Sequence, residues 1–196
     1  MRGEQVEVPV FDFLTGKRAK EGIVMQLHPD EPLIIEGIHA LNPMLLNDDI
    51  DRDKLFRVYV SALTTLNIDD HNRIHTTDAR LLRRLVREYE TRGASMEHTL
   101  SMWPSGRRGE DKRIFPYQEN ADALFNTTLV YEVSVLKKYV YPLLQEVPKE
   151  SPCYAAARDI TKVLNYFLDA DGIEDEIPPT SILREFIGGC TFYRKD

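Results

Sequence analysis

Residues 78–93 read DARLLRRLVREYETRG. Wound at about 3.6 residues per turn, this stretch puts Leu81, Leu82, Leu85, Val86 and Tyr89 on one stripe. Arg80, Arg83, Arg84 and Arg87 then fall on the opposite face. Asp78 stands where it can cap the first turn, and Gly93 where it can end the last. The polar face carries arginine and no lysine. Guanidinium is always charged and offers forked donors that match phosphate oxygens, so the face suits phosphate binding. A solvated face on an amphipathic helix is the plainer alternative, and the stretch by itself leaves both open.

The totals narrow the choice. At 196 residues the chain is long enough for one domain with a real core, alone or with an extension. Apolar residues make up 42% and charged residues 29%, an ordinary globular balance. The formal net charge is −7. An acidic chain lacks the positive excess that displaces counterions, so general nucleic-acid binding is not expected. The arginine cluster runs against that global sign. Cys153 and Cys190 are far apart and match no metal spacing, which predicts reduced thiols. No signal peptide opens the sequence and no apolar run approaches membrane-spanning length, so a cytoplasmic location is expected and a membrane partner is not.

Upstream of the arginine stretch, VEVPVFDF at 6–13 alternates like a strand, with Pro9 marking an edge or an end. Leu33, Ile34 and Ile35 form a short apolar run closed by Glu36 and Gly37, the pattern of a strand buried in a parallel sheet. FRVYVSA at 56–62 is another strand candidate, and the Asp-rich segment before it a solvated loop or short helix. Downstream, Trp103, Pro104, Ser105, Gly106, Arg107, Arg108 and Gly109 make a second basic patch that reads as a loop. ALFNTTLV at 123–130 is a plausible last strand, followed by an apolar helix from Tyr131 that Pro142 should kink or restart. Ser151 and Pro152 open a helix expected to reach about Asp169, burying Tyr154, Ile160, Leu164, Phe167 and Leu168. A short final helix starts near Ser181 and stops at Gly188 and Gly189. Strands alternating with helices predict an α/β fold with a mainly parallel sheet.

Several residues stand in chemically suggestive places. Glu36, a carboxylate at the tip of an apolar strand, suits a magnesium site of the phosphoryl-transfer kind, or simply faces solvent. Phe11, Asp12 and Phe13 offer aromatic faces and a carboxylate to a ligand, or a buried aromatic pair. His71 and His75 lie four apart beside Asp69 and Asp70, but without helical context or further ligands polar loop residues are the better reading. No G-x-x-x-x-G-K-[ST] occurs anywhere, so the chain holds nothing to cradle a triphosphate.

Three motifs carry a resemblance. Pro9-Val10-Phe11-Asp12-Phe13 is similar to a Pro-x-Tyr-Asp-Phe segment, and Ile34-Ile35-Glu36-Gly37-Ile38 to an (Ile/Phe)-Glu-Gly-Ile stretch. Residues 80–88 with Arg92 and Gly93 match an R-L-x-R-R-x-x-R-D…R-G lid helix. Together they resemble the uridine kinase/phosphoribulokinase family over almost the whole chain. A narrower group matches in longer runs: bacterial proteins that fuse a TGS and threonyl-tRNA-synthetase-like region to a C-terminal uridine kinase-like domain. Those runs are residues 35–42, 66–73, 103–105, 114–119 and 182–189.

The resemblance implies a P-loop NTPase-like parallel sheet with flanking helices, lacking its first strand and Walker A loop, with a helix-rich C-terminal extension. It implies that 1–150 form the C-terminal part of a nucleoside kinase-like domain and that 151–196 pack on it. Glu36 would help hold Mg²⁺, Phe11, Phe13 and Ile38 would line a nucleoside pocket beside Asp12, and Arg84, Arg87 and Arg92 would close over the transferred phosphate of ATP. Arg83 would support them. The family's base-reading His is replaced by Gly16, an Arg and a Gln by Ala94 and Met102, and a Tyr by Phe11. The pyrimidine-reading groups are thus largely missing. The phosphate loop and catalytic Asp of the family fall upstream of the part matched, and two explanations fit: Met1 is an internal methionine of a longer protein, the favoured reading, or the chain is a natural fragment that has lost nucleotide chemistry. The expected partners are a nucleoside or similar small molecule and the upstream half of the same protein, with homo-oligomer formation left open. The alternative is a non-catalytic module that uses the same arginine face to bind an anion or a partner segment.

Overall fold

The computed structural model describes residues 3–12, 15–46 and 50–192, which pack as two units, Met1–Phe56 and Arg57–Asp196. Phe13 lies outside the described residues.

In the first unit, β1 (Val6–Val8) pairs antiparallel with β4 (Ile23–Met25), and β2 (Phe11–Asp12) with β3 (Lys17–Arg18). The expected single strand at 6–13 is divided at Pro9, which has no N–H to give a ladder. The turn between β2 and β3 is set by Asp12, whose carboxylate accepts from the Thr15 backbone N–H and hydroxyl. Gly16 in that turn has a φ of 64°, a left-handed conformation that a residue with a Cβ adopts at a cost.

The apolar run at 33–35 does not form the buried strand expected of it. It is irregular, and Ile34 is 88% exposed. A strand is stable only with hydrogen-bonding neighbours along its edges, and none of the described residues pairs with this run. Two single-turn 3-10 helices follow, each capped by a side chain one residue ahead: Asn42 before Pro43–Leu45, and Asp51 before Arg52–Lys54.

The second unit contains β5 (Val58–Ser61) and β6 (Ala123–Asn126), paired in parallel from Val58 opposite Ala123 to Ser61 opposite Asn126. A parallel pair needs a crossover connection. Here it contains α1 (Thr76–Arg92) and α2 (Met96–Arg113). The chain is therefore mixed α/β, with one small parallel sheet and two antiparallel pairs where a mainly parallel sheet was expected. Then come α3 (Glu132–Gln145), α4 (Tyr154–Leu164) and α5 (Arg184–Ile187). Helix α1 packs against α2, α3 and α5, and α3 packs against α4. Leu82, Leu85, Leu136, Val140, Leu164 and Leu183 meet in the centre of this core, so α4 and α5 share it with α1 and α3. Among the described residues no helix is long and apolar enough to cross a membrane.

Several sequence expectations change in detail. The patch at 103–109 is helical, inside α2, and not a loop. Met96, Thr99 and Leu100 are buried on that helix, and the Ser95 hydroxyl accepts from the His98 N–H at its start. Tertiary packing of this kind outweighs the propensity cost of the internal glycines and of Pro104. Helix α3 runs through Pro142 without restarting. Helix α4 ends at Leu164, short of Asp169, and leaves Leu168 87% exposed. Ser151 still acts at its start, accepting from the Cys153 N–H.

Candidate functional site

Helix α1 begins two residues earlier than its pattern suggests. His75 precedes it, and Asp78 sits inside the first turn instead of capping it. Burial pushes the Asp78 carboxyl above the usual carboxylate range, opposed by the His75 charge and by bonds to His75 and Thr77. The other end follows the reading: Gly93 adopts φ 62°, and its N–H and that of Ala94 return to the carbonyls of Tyr89 and Glu88. The apolar stripe is Ala79, Leu81, Leu82, Leu85 and Val86, all buried, whereas Tyr89 is mostly exposed.

The arginines do not share one face. Arg83 is buried, the main correction to the helical-wheel reading. Its guanidinium donates to the Thr127 hydroxyl at 3.1 Å and the Thr127 carbonyl at 2.7 Å, pairs with Glu132, and lies 5.7 Å from the Phe186 ring. Glu132 is itself almost wholly buried at the start of α3 and accepts from the Leu129 N–H. Arg83 thus ties α1 to the end of β6 and to α3.

Arg84, Arg87 and Arg92 are the accessible members, with side-chain exposures of 30%, 42% and 61%. Glu88 stands between Arg84 and Arg92, at 3.8 Å and 2.7 Å, each four residues away along the helix. Arg87 pairs with Glu185 of α5 at 3.3 Å. Arg84 also lies 5.9 Å from the Trp103 ring on α2, and a Cβ at Gly106 would come within 3.1 Å of its guanidinium. The glycine is what lets α2 approach this closely. The Nε–H groups of Arg84 and Arg87 are buried and have no hydrogen-bond acceptor among the described residues. Arg80 is drawn aside into a neighbouring cluster, where it and Arg107 share Glu110 and both face the Phe115 ring.

This edge of α1 offers three guanidinium groups held by ion pairs; Glu88, shared by Arg84 and Arg92, is mostly buried, whereas the Arg87–Glu185 pair is exposed on both sides and worth about 0–1 kcal/mol. A pair that weak is exchangeable. A phosphate, with more charge and more acceptor oxygens than a carboxylate, can replace it. The positions of Arg84, Arg87 and Arg92 were read from sequence; the bridging role of Glu88 was not, although its spacing of four to each side carries the signal. Glu185, Trp103 and Gly106 were not, because they arrive from other helices.

The remaining candidates belong to the first unit. Phe11 is 54% exposed on β2, so it is not part of a buried aromatic pair. The Asp12 carboxylate is engaged in the Thr15 turn. Glu36 and Ile38 are exposed beside Gly37, which has φ 151°. Among the described residues no group of three or more His, Cys, Asp or Glu could hold a metal ion unaided. Magnesium commonly takes only one or two carboxylates, the rest of its shell being water and substrate phosphates. An exposed Glu36 fits that limited part.

Comparison with known proteins bears on these observations. Residues 1–134 match the model of the phosphoribulokinase/uridine kinase family. A uridine kinase of Staphylococcus haemolyticus (strain JCSC1435) is 34% identical over 101 residues, covering 52% of this chain and 40% of that protein. Uridine kinases of Staphylococcus aureus, strains JH9 and Newman among them, are 31% identical over 123 residues, covering 62% of this chain and 50% of theirs. The chain thus spans half or less of the length of these relatives. It belongs to the phosphoribulokinase/uridine kinase family.

Proposed function

We propose that this family member is part of an ATP-dependent, nucleoside kinase-like phosphotransferase that moves the γ-phosphoryl group of ATP to a hydroxyl of a small molecule. The observation that carries the reading is the arginine edge of α1. Arg84, Arg87 and Arg92 present guanidinium groups that are at least partly exposed, and the Arg87–Glu185 pair is weak enough to exchange. In phosphoryl transfer negative charge spreads over the equatorial oxygens of the moving group, and stabilising that charge is the protein's main task. These three residues would supply donors and positive charge to it. Arg83, buried and tied to Glu132, would hold the helix that presents them. Glu36 would serve as an oxygen ligand to Mg²⁺, which neutralises phosphate charge when bound. Phe11, Phe13 and Ile38 would give the acceptor an apolar surface, with Asp12 at its edge.

The acceptor is read as a nucleoside or similar small molecule, with no assignment of the base. Gly16 supports leaving it so. It has no side chain with which to read a base, where uridine kinases place a base-reading His. Because the sequence has no G-x-x-x-x-G-K-[ST], the triphosphate cradle would come from the upstream half of the same protein, in the cytoplasm.

The test is calorimetry with ATP·Mg²⁺ on this chain alone and on the chain joined to that upstream half. The reading requires micromolar binding and turnover in the second case, with turnover falling at least about 1000-fold in the R84A/R87A double variant. Micromolar ATP·Mg²⁺ binding by this chain alone, unchanged when the upstream half is added, would favour a non-catalytic anion-binding module.

A further inference from the structure

Three arginines of α1 fall within the residues matched by the family model, and the residue that holds one of them falls outside it. The family match ends at residue 134. Glu185, which pairs with Arg87 at 3.3 Å, is 98 residues further along and lies on α5. We propose that α5 is a built-in competitor for the phosphate-binding arginines: Glu185 occupies Arg87 and must be displaced when a phosphoryl group arrives. The proposal rests on the phosphate-binding reading of the α1 edge.

The placement of Glu185 is built by its neighbours. Leu183 is fully buried and Phe186 nearly so, both in the core that α1 shares. The Phe186 ring faces the guanidinium of Arg83, one turn of α1 before Arg87. Arg184 donates to the Glu174 and Ile177 carbonyls, both at 2.6 Å, and to the Gly188 carbonyl at 3.4 Å. The residues on either side of Glu185 are therefore pinned, and its backbone is held beside α1 before any pairing occurs. Little backbone entropy is lost when its carboxylate meets Arg87, and only side-chain rotamer freedom is left to spend. The carboxylate and the guanidinium are nonetheless 39% and 42% exposed, so the contact stays accessible to solvent and to an incoming anion.

This pair differs in kind from the one beside it. Glu88 comes from the α1 motif itself and moves with Arg84 and Arg92. Glu185 comes from a separate helix, so Arg87 can be released without unwinding α1. Gly188 and Gly189 follow α5 directly with φ of 84° and 75°, which ends the helix at Ile187. An exposed pair of this type shifts a competing equilibrium by at most about fivefold. The device tunes affinity and does not block the site.

The experiment titrates inorganic tripolyphosphate into the full chain and follows the Nε–H signal of Arg92, which all four proteins keep, by nuclear magnetic resonance. Four proteins are compared: wild type, E185Q, R84A/R87A and D159N. Asp159 is an exposed α4 carboxylate paired with Lys162, so D159N changes the net charge as E185Q does without removing a partner of Arg84, Arg87 or Arg92. The expected result is binding about two- to fivefold tighter in E185Q, wild-type affinity in D159N, and loss of binding in R84A/R87A. Equal affinity in E185Q and wild type, with binding still lost in R84A/R87A, overturns the competitor while leaving the phosphate site intact. The same gain in D159N as in E185Q also overturns it. Binding that survives in R84A/R87A removes the phosphate-site reading and the proposal with it.

Discussion

Arg83 and Arg84 are adjacent in sequence but separated by about 100° around α1, and that rotation decides what each can do. Arg83 points into the unit, where Thr127 and Glu132 take up its donors. Arg84 lies at the surface against Trp103 with only a 3.8 Å contact to Glu88. Removing one partner of a buried ion pair strands the other charge, which costs about 3–5 kcal/mol. Arg83→Ala should therefore lose that much stability in urea unfolding, while Arg92→Ala, at an exposed guanidinium, should lose no more than about 1 kcal/mol. Similar small losses in both would contradict the buried anchor. The wheel pattern made four equivalent arginines of these residues. It could not separate them, because burial of Arg83 depends on Glu132, which lies 49 positions away. Glu88 was readable, though not singled out, since both its partners are four residues from it on the same helix.

Local signals served best where the chain closes its own hydrogen bonds. The end of α1 at Gly93 was read this way; the caps at Asn42 and Asp51 were not singled out although they too are local, and α4 starts at Tyr154, with Ser151 accepting from the Cys153 N–H just ahead of it. Gly93 has a left-handed φ and open space where a Cβ would stand, so its role is conformational. Gly93→Ala should cost about 1 kcal/mol, and Gly93→Asn less, since Asn tolerates this conformation. A thermal melt of both variants checks this, and an Ala variant as stable as wild type would remove the capping argument. Elements that depend on distant partners were less legible. The glycines and proline at 103–109 predicted a loop, and packing of α2 on α1 made it a helix, with Gly106 easing the approach to Arg84. The run at 33–35 has the composition of a buried strand but no described neighbour to pair with, and its side chains remain exposed.

At the scale of the whole molecule, the α/β character follows from strands alternating with helices, and one parallel pair with its helical crossover is present. Two antiparallel pairs in the first unit were not anticipated, because strands of two or three residues leave almost no periodic trace. Helices α4 and α5 complete the core around α1 and α3, which connects the segment after the family match to the arginine edge. That edge is the central claim: Arg84, Arg87 and Arg92 bind phosphate, and Arg83 supports them from within. The most direct measurement is a titration of the full chain with inorganic tripolyphosphate, reading each arginine Nε–H signal separately. The account predicts that the signals of Arg84, Arg87 and Arg92 move together and saturate with one dissociation constant, about millimolar, while that of Arg83 stays in place. Signals that move for all arginines alike and never saturate, or that leave these three unmoved, would contradict it.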